Sequence, residues 1–136
     1  MSKIHLKILT PERSLYDGEV EKVSLPSKDG EITILPHHIP LISLLKAGEI
    51  RIDDGKSIVP LVTSGGFIEI HENTIKVLAD TAEKVDEIDE QRALEVQKRA
   101  QEALVSKQLD AKEHAYFLAK LEKQLARTRL ARKYRK

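Results

Sequence analysis

The chain has 136 residues, room for one domain or two small ones, and 40% of them are apolar. It has no cysteine, which excludes thiol catalysis, disulfides and Cys-ligated zinc, and its 4% aromatic content is too low for a platform that stacks sugars or bases. The net charge of +1 conceals an asymmetry, because residues 80–95 carry seven acids against Lys84 and Arg92, whereas residues 120–136 carry eight bases against Glu122.

In chain order, Ile4, Leu6 and Ile8 alternate with His5, Lys7 and Leu9, the period-2 pattern of a half-buried strand, which Thr10-Pro11-Glu12-Arg13 closes. Val20 to Leu25 is a second candidate strand. Asp29-Gly30 predicts a hairpin turn into Glu31–Leu35, since both residues tolerate positive φ. Asp54-Gly55 repeats the device between Glu49–Ile52 and Ser57–Val62. Gly65-Gly66 predicts a break before Phe67–Ile70, and Glu72-Asn73 turns the chain into Thr74–Ala79. Short strands at close, even spacing predict a sandwich or barrel.

The composition shifts near residue 80: all five prolines and all six glycines precede it. Beyond it two helices are expected, the first capped by Asp86 or Asp89 with a thin stripe of Ala93, Val96, Ala100, Ala103 and Leu104. Ser106-Lys107-Gln108-Leu109 is the connection. Asp110 and Glu113 form a capping-box pattern, and Ala111, Ala115, Leu118, Leu121 and Leu125 are the expected buried stripe of the second helix. Alanine stripes allow close approach but bury little apolar area, so a weakly held hairpin is expected, one that docks, undocks or opens. The fold class is thus α+β in two parts: a β-sandwich over residues 1–84 and an antiparallel helical hairpin over residues 85–136.

Catalytic chemistry is thinly represented. His37 and His38 are adjacent on an extended segment and point to opposite sides, so a turn-proximal pair is expected, not a metal site. Ser64-Gly65-Gly66 lacks the Lys and Ser/Thr of a phosphate loop and reads as a bulge or turn. The acids of residues 80–95 lack the calcium-loop spacing and its glycine, so they read as a solvated helix start. The basic tail, charged on all sides, suits an acidic protein surface or a solvated terminus; nucleic acid is the alternative reading. No run approaches membrane-spanning length, so a membrane is reached only through a partner. The N-terminus has no apolar signal core.

Several blocks together resemble the epsilon subunit of F-type rotary ATP synthases, called delta in mitochondria. They are Thr10-Pro11-Glu12 with Leu15-Tyr16, the run Gly30 to Leu41 (GEITILPHHIPL), Ser64 to Ile70 (SGGFIEI), and Ile88-Asp89-Glu90-Gln91-Arg92-Ala93. They span nearly the whole chain in the family's order. Thr33 departs from a common Gly, and His37 from a small or polar turn residue.

The resemblance implies a non-catalytic rotor subunit on the cytoplasmic side of the bacterial plasma membrane, peripheral to it. It implies that the sandwich packs on the gamma subunit through one apolar face and stands on the c-ring, with Glu31 as the expected ring contact. It implies that the helices extend and block ATP hydrolysis. Arg127, Arg129, Arg132 and Lys133 would then meet acidic loops of the beta subunit, with alpha alongside. No cofactor is required, but a regulatory ATP is implied at Glu83, Ile88, Asp89, Arg92, Ala93 and Arg99. There Asp89 and Glu83 would accept adenine or ribose donors, Arg92 and Arg99 would face phosphates, and Arg129 would clamp them. Leu125 stands where the family has an arginine, with Arg127 as substitute. The competing reading has Asp89 simply capping the helix and Arg92 paired with acids of its own turn.

Overall fold

The computed structural model describes residues 2–106 and 108–134. The contacts divide the chain after Lys84 into an all-β unit and a helical unit that begins at Val85.

The first unit has eight strands: β1 (Ile4–Leu9), β2 (Ser14–Val20), β3 (Lys22–Ser27), β4 (Gly30–Ile34), β5 (Leu41–Leu45), β6 (Gly48–Asp53), β7 (Ile58–His71) and β8 (Thr74–Lys84). The hydrogen-bonded order is β2-β1-β8-β7-β5-β3-β4, and β6 pairs with both β3 and β7. All pairings are antiparallel except β1 with β8. One edge of β7 pairs with β6 over Ile58–Thr63 and then with β5 over Gly66–Ile70, while its other edge runs along β8. The β7–β8 ribbon therefore crosses from one layer of the sandwich to the other.

The crossing is made at Gly65-Gly66. The sequence reads Gly65-Gly66 as a break and Ser64-Gly65-Gly66 as a bulge or turn; the structure has the bulge, inside one 14-residue strand, with register shifts on both sides of Gly65. Gly66 has φ +147°, and a Cβ there would overlap the Leu78 carbonyl oxygen, so only glycine fits. The core between the layers is mostly Ile and Val, including the fully buried Ile4, Ile8, Val23, Ile50, Ile68 and Val77. These branched side chains suit a pleated, closely packed face.

Beyond His71 the turn places Glu72 and Asn73 in the left-handed region, and Asn73 ties three segments together. Its Oδ1 accepts from the His37 backbone N–H at 2.8 Å, and its Nδ2 donates to the Lys3 carbonyl at 2.9 Å. Its own carbonyl accepts from His5 N–H at 3.2 Å. His37 is itself left-handed, with φ +64°.

In the second unit a short 3-10 turn (Val85–Glu87) leads to α1 (Glu90–Ser106) and α2 (Ala111–Lys133). Asp89 caps α1 through its Oδ1, which accepts from Arg92 N–H at 3.1 Å. Asp110 and Glu113 form a full capping box at α2. In α1, Ala93, Ala100 and Ala103 are buried, while Val96 and Leu104 are half-buried.

The expected stripe of α2 is displaced. Ala111, Ala115, Leu118 and Leu125 are exposed, Leu121 is half-buried, and Gln124, Ala126, Thr128 and Leu130 are buried instead. The polar pair tolerates burial because it is bonded: Arg127 Nη1 donates to Gln124 Oε1 at 2.8 Å, and Thr128 Oγ1 donates to Gln97 Oε1 at 3.2 Å.

Candidate functional site

The first candidate surface lies on the outer face of β5, β7, β8 and β1. Inward Ile and Val alternate with outward residues on β1, β8 and the second half of β7, which fixes what the face presents. Leu44 is in register with Phe67, Phe67 with Leu78, and Leu78 with Leu9. Leu44, Phe67 and Leu78 are 46%, 55% and 44% exposed. The next row along the strands is Ile42, Glu69, Lys76, Lys7 and Asp17, paired in the same way. An apolar row across four strands, bordered by charges of both signs, has the make-up of a protein contact. The sequence signal was present in Leu44, Phe67 and Leu78, but their common row depends on long-range pairing.

Glu31 stands on β4 beside the Gly30 turn. It pairs with Arg51 of β6, which also reaches Glu49 at 3.4 Å. Its side chain remains 55% exposed, so it keeps an accessible edge while held by a cation.

The six residues expected at a nucleotide site are only partly gathered. Asp89, Arg92 and Arg99 line an open depression of about 450 Å³ along one face of α1, with Gln91, Glu95 and Val96. Ile88 is half-buried just before the helix, and Ala93 is fully buried on its packing side. Glu83 lies on β8. Arg129 is not with Arg92 and Arg99. It lines a second depression of about 470 Å³ with Leu94, Gln97, Leu125, Thr128 and Arg132. At roughly 100° per residue, Gln97 stands about 140° round the helix from Arg92, so the two depressions open on different sides of α1. The expected phosphate clamp by Arg129 is therefore not formed in this arrangement. One oxygen of Asp89 is also committed to the cap.

Along α2, Arg129, Arg132 and Lys133 are exposed, whereas Arg127 is half-buried and bonded to Gln124. Leu125, the position of the missing family arginine, faces the second depression. Arg132 Nε contacts Glu90 Oε1 at 2.9 Å. Lys133 Nζ lies 5.1 Å from the Tyr134 ring centre. Among the described residues, no group of acids and histidines has the geometry to hold a metal ion, and no helix is long and apolar enough to cross a membrane.

A small β-sandwich with an exposed apolar row, followed by a helical hairpin of opposed charge, defines a class of assembly subunit. Residues 3–85 match the family described as "ATP synthase, Delta/Epsilon chain, beta-sandwich domain". The chain is 42% identical, over all of its length and 97% of theirs, to the ATP synthase epsilon chains of two strains of Dehalococcoides mccartyi. It is 40% identical to that of Desulforamulus reducens over 93% of this chain and 95% of the other. The chain belongs to the ATP synthase delta/epsilon family.

The fold recurs in two solved assemblies. A chain of the Euglena gracilis mitochondrial ATP synthase superposes with a TM-score of 0.80 at 19% identity, over 93% of this chain and 79% of that one. A chain of the Tetrahymena thermophila central stalk and c-ring gives 0.67 at 14% identity, over 96% and 97%.

Proposed function

We propose that the chain is a non-catalytic, epsilon-type subunit of the ATP synthase central stalk, linking the catalytic head to the membrane c-ring. The observation that carries this reading is similarity to epsilon chains at 42% identity from end to end, sandwich and hairpin together. Nothing in the comparisons supports the nucleic-acid alternative. The protein reaches the membrane through the assembly, on the side that carries the head.

Within that reading, the row of Leu44, Phe67, Leu78 and Leu9 is the face offered to gamma, and Glu31 meets the polar end of the c-ring. The helices act as a brake on ATP hydrolysis when they extend, with Arg129, Arg132 and Lys133 addressing acidic loops of beta, and alpha alongside. The supporting observation is their exposure together on the last turns of α2. Truncation at Ser106 tests the brake: hydrolysis by the enzyme reassembled with residues 1–105 rises, and an unchanged rate refutes it. Phe67→Asp tests the face, with loss of co-purification with gamma expected while the free subunit stays folded.

A regulatory ATP is a finer reading, favoured by the depression in which Arg92 and Arg99 stand two turns apart. Its volume falls within the usual range for small-molecule sites. The phosphates lie on these two arginines, and ATP favours the closed hairpin by its excess affinity for that state. Arg92→Gln with Arg99→Gln is the informative variant, since Asp89→Ala would also remove the cap. Calorimetry with millimolar ATP shows binding to the wild type that the double variant loses; absence of binding heat in the wild type removes this reading.

A further inference from the structure

We propose that the acidic start of α1 is an intramolecular decoy for the basic α2: in the closed hairpin Glu90 occupies Arg132, a side chain the brake presents to an acidic partner. The functional half of this inference rests on the proposed brake; the latch itself does not. The ion pair closes one end of the hairpin at 2.9 Å. Seven residues along α1 and four back along α2, Gln97 and Thr128 make a second contact between the same helices at 3.2 Å. Between these rungs Ala93 of α1 and Leu130 of α2 are buried, and Ala100 continues the small α1 surface beyond Gln97. The interface thus combines a narrow apolar contact with polar rungs, and the rungs are the part that water or another carboxylate can replace.

The charge distribution along the chain has the same logic. The acids of residues 80–95 and the bases of residues 120–136 are remote in sequence, but an antiparallel hairpin sets the start of α1 beside the end of α2. A carboxylate surface in the catalytic head then competes with one already present in the chain. Separating the helices releases Arg132 from Glu90, and the partner's acids restore the lost interaction. The hairpin opens at a threshold set by the difference between the two acidic environments, not by the strength of either alone. The pair is solvent-exposed, with Arg132 58% and Glu90 23% accessible, so it is weak and exchangeable.

A double-mutant cycle on the isolated full chain measures the latch. Glu90→Gln, Arg132→Gln and the double variant are compared by amide exchange in α1 and α2. The expected coupling is roughly 1.4- to 5-fold in protection, the range for exposed ion pairs, and it falls at high salt. The cycle removes the effect of the Glu90 charge on the α1 dipole, which both arms share. Coupling indistinguishable from unity overturns the latch, whatever the helices do in the enzyme.

The reassembled enzyme measures the decoy. Glu90→Gln deepens inhibition of hydrolysis, and Arg132→Gln, equally loosened, does not. The charge swap Glu90→Arg with Arg132→Glu restores amide protection but relieves inhibition. If coupling is present, truncation at Ser106 raises hydrolysis, and Glu90→Gln leaves it unchanged, the decoy is overturned while the brake stands. If truncation itself has no effect, the brake fails and the decoy's function with it.

Discussion

The Asn73 side chain ties its turn to two segments remote in sequence, and its replacement has a calculable cost. Its amide bonds the His37 N–H and the Lys3 carbonyl, and its backbone sits at φ +55°. A neutral hydrogen bond contributes about 1 kcal/mol net, and less where water replaces the partner, as both exposed groups here allow. A non-Gly residue without a short polar side chain costs roughly 1–2 kcal/mol in the left-handed region. Asn73→Ala loses both effects, about 2 kcal/mol in all. For a unit the size of the sandwich that lowers the unfolding midpoint by roughly 8–16 °C. Asn73→Gly separates the contributions: it removes the amide but not the backbone freedom, so it recovers about half the loss. Asn73→Asp keeps the acceptor for His37 and lacks the donor for Lys3, and falls between wild type and Ala. Thermal and urea unfolding followed by far-UV circular dichroism provides the measurement. An Asn73→Ala stability within roughly 0.5 kcal/mol of wild type, the ordinary surface range, or an Asn73→Gly no better than Asn73→Ala, refutes this role of Asn73.

Further outcomes follow from other positions. Gly66→Ala drives a Cβ into the Leu78 carbonyl and prevents the β7 crossing, so the sandwich fails to fold; Gly30→Ala, with φ +116° and open space around it, lowers stability by roughly 1–2 kcal/mol. Ile50→Ala, with no exposed surface, costs about 2–5 kcal/mol by urea unfolding. Asp110→Ala removes the α2 cap and lowers helicity of the hairpin, costing about 1 kcal/mol, without affecting the sandwich midpoint. His5 contacts Glu19 at 3.1 Å and Asp17 at 2.6 Å, and these bonds, Glu19 foremost, outweigh desolvation and raise its pKa above 6.5. Because the folded value is the higher one, the stabilisation is fully present below 6.5 and disappears as pH rises through the folded pKa. NMR titration of His5 shows the raised value in the wild type and its return toward 6.5 in Glu19→Gln with Asp17→Asn.

The parts of the fold legible in the sequence were those set by local chemistry. Asp29-Gly30 and Asp54-Gly55 mark turns through backbone freedom, the loss of Pro and Gly marks the switch to helix, and Asp110 with Glu113 spells its own cap. The strands β2 and β5 were missed for identifiable reasons. Ser14–Val20 carries Asp17 and Gly18, poor strand formers that pair only because β1 lies alongside, and Leu41–Leu45 lacks polar alternation because its outward Ile42 and Leu44 are apolar. Those two outward residues belong to the proposed contact face, so the failed pattern was itself the functional signal. The α2 stripe was misplaced because periodicity counts apolar residues, whereas Gln124 and Thr128 are buried through bonds to Arg127 and to Gln97 on another helix. The separation of Arg129 from Arg92 and Arg99 depends on how two helices are rotated about each other, which residue spacing within one helix does not encode.

The continuous β7–β8 ribbon has a mechanical consequence. A sandwich of two independently laced sheets yields to shear by letting its layers slide across a greasy middle. Here the same two strands are stitched into both layers, so sliding requires unzipping ladder bonds and straightening the fold at Gly65-Gly66. A body built this way turns as one stiff piece under torque, which is what a part riding on a spinning shaft requires.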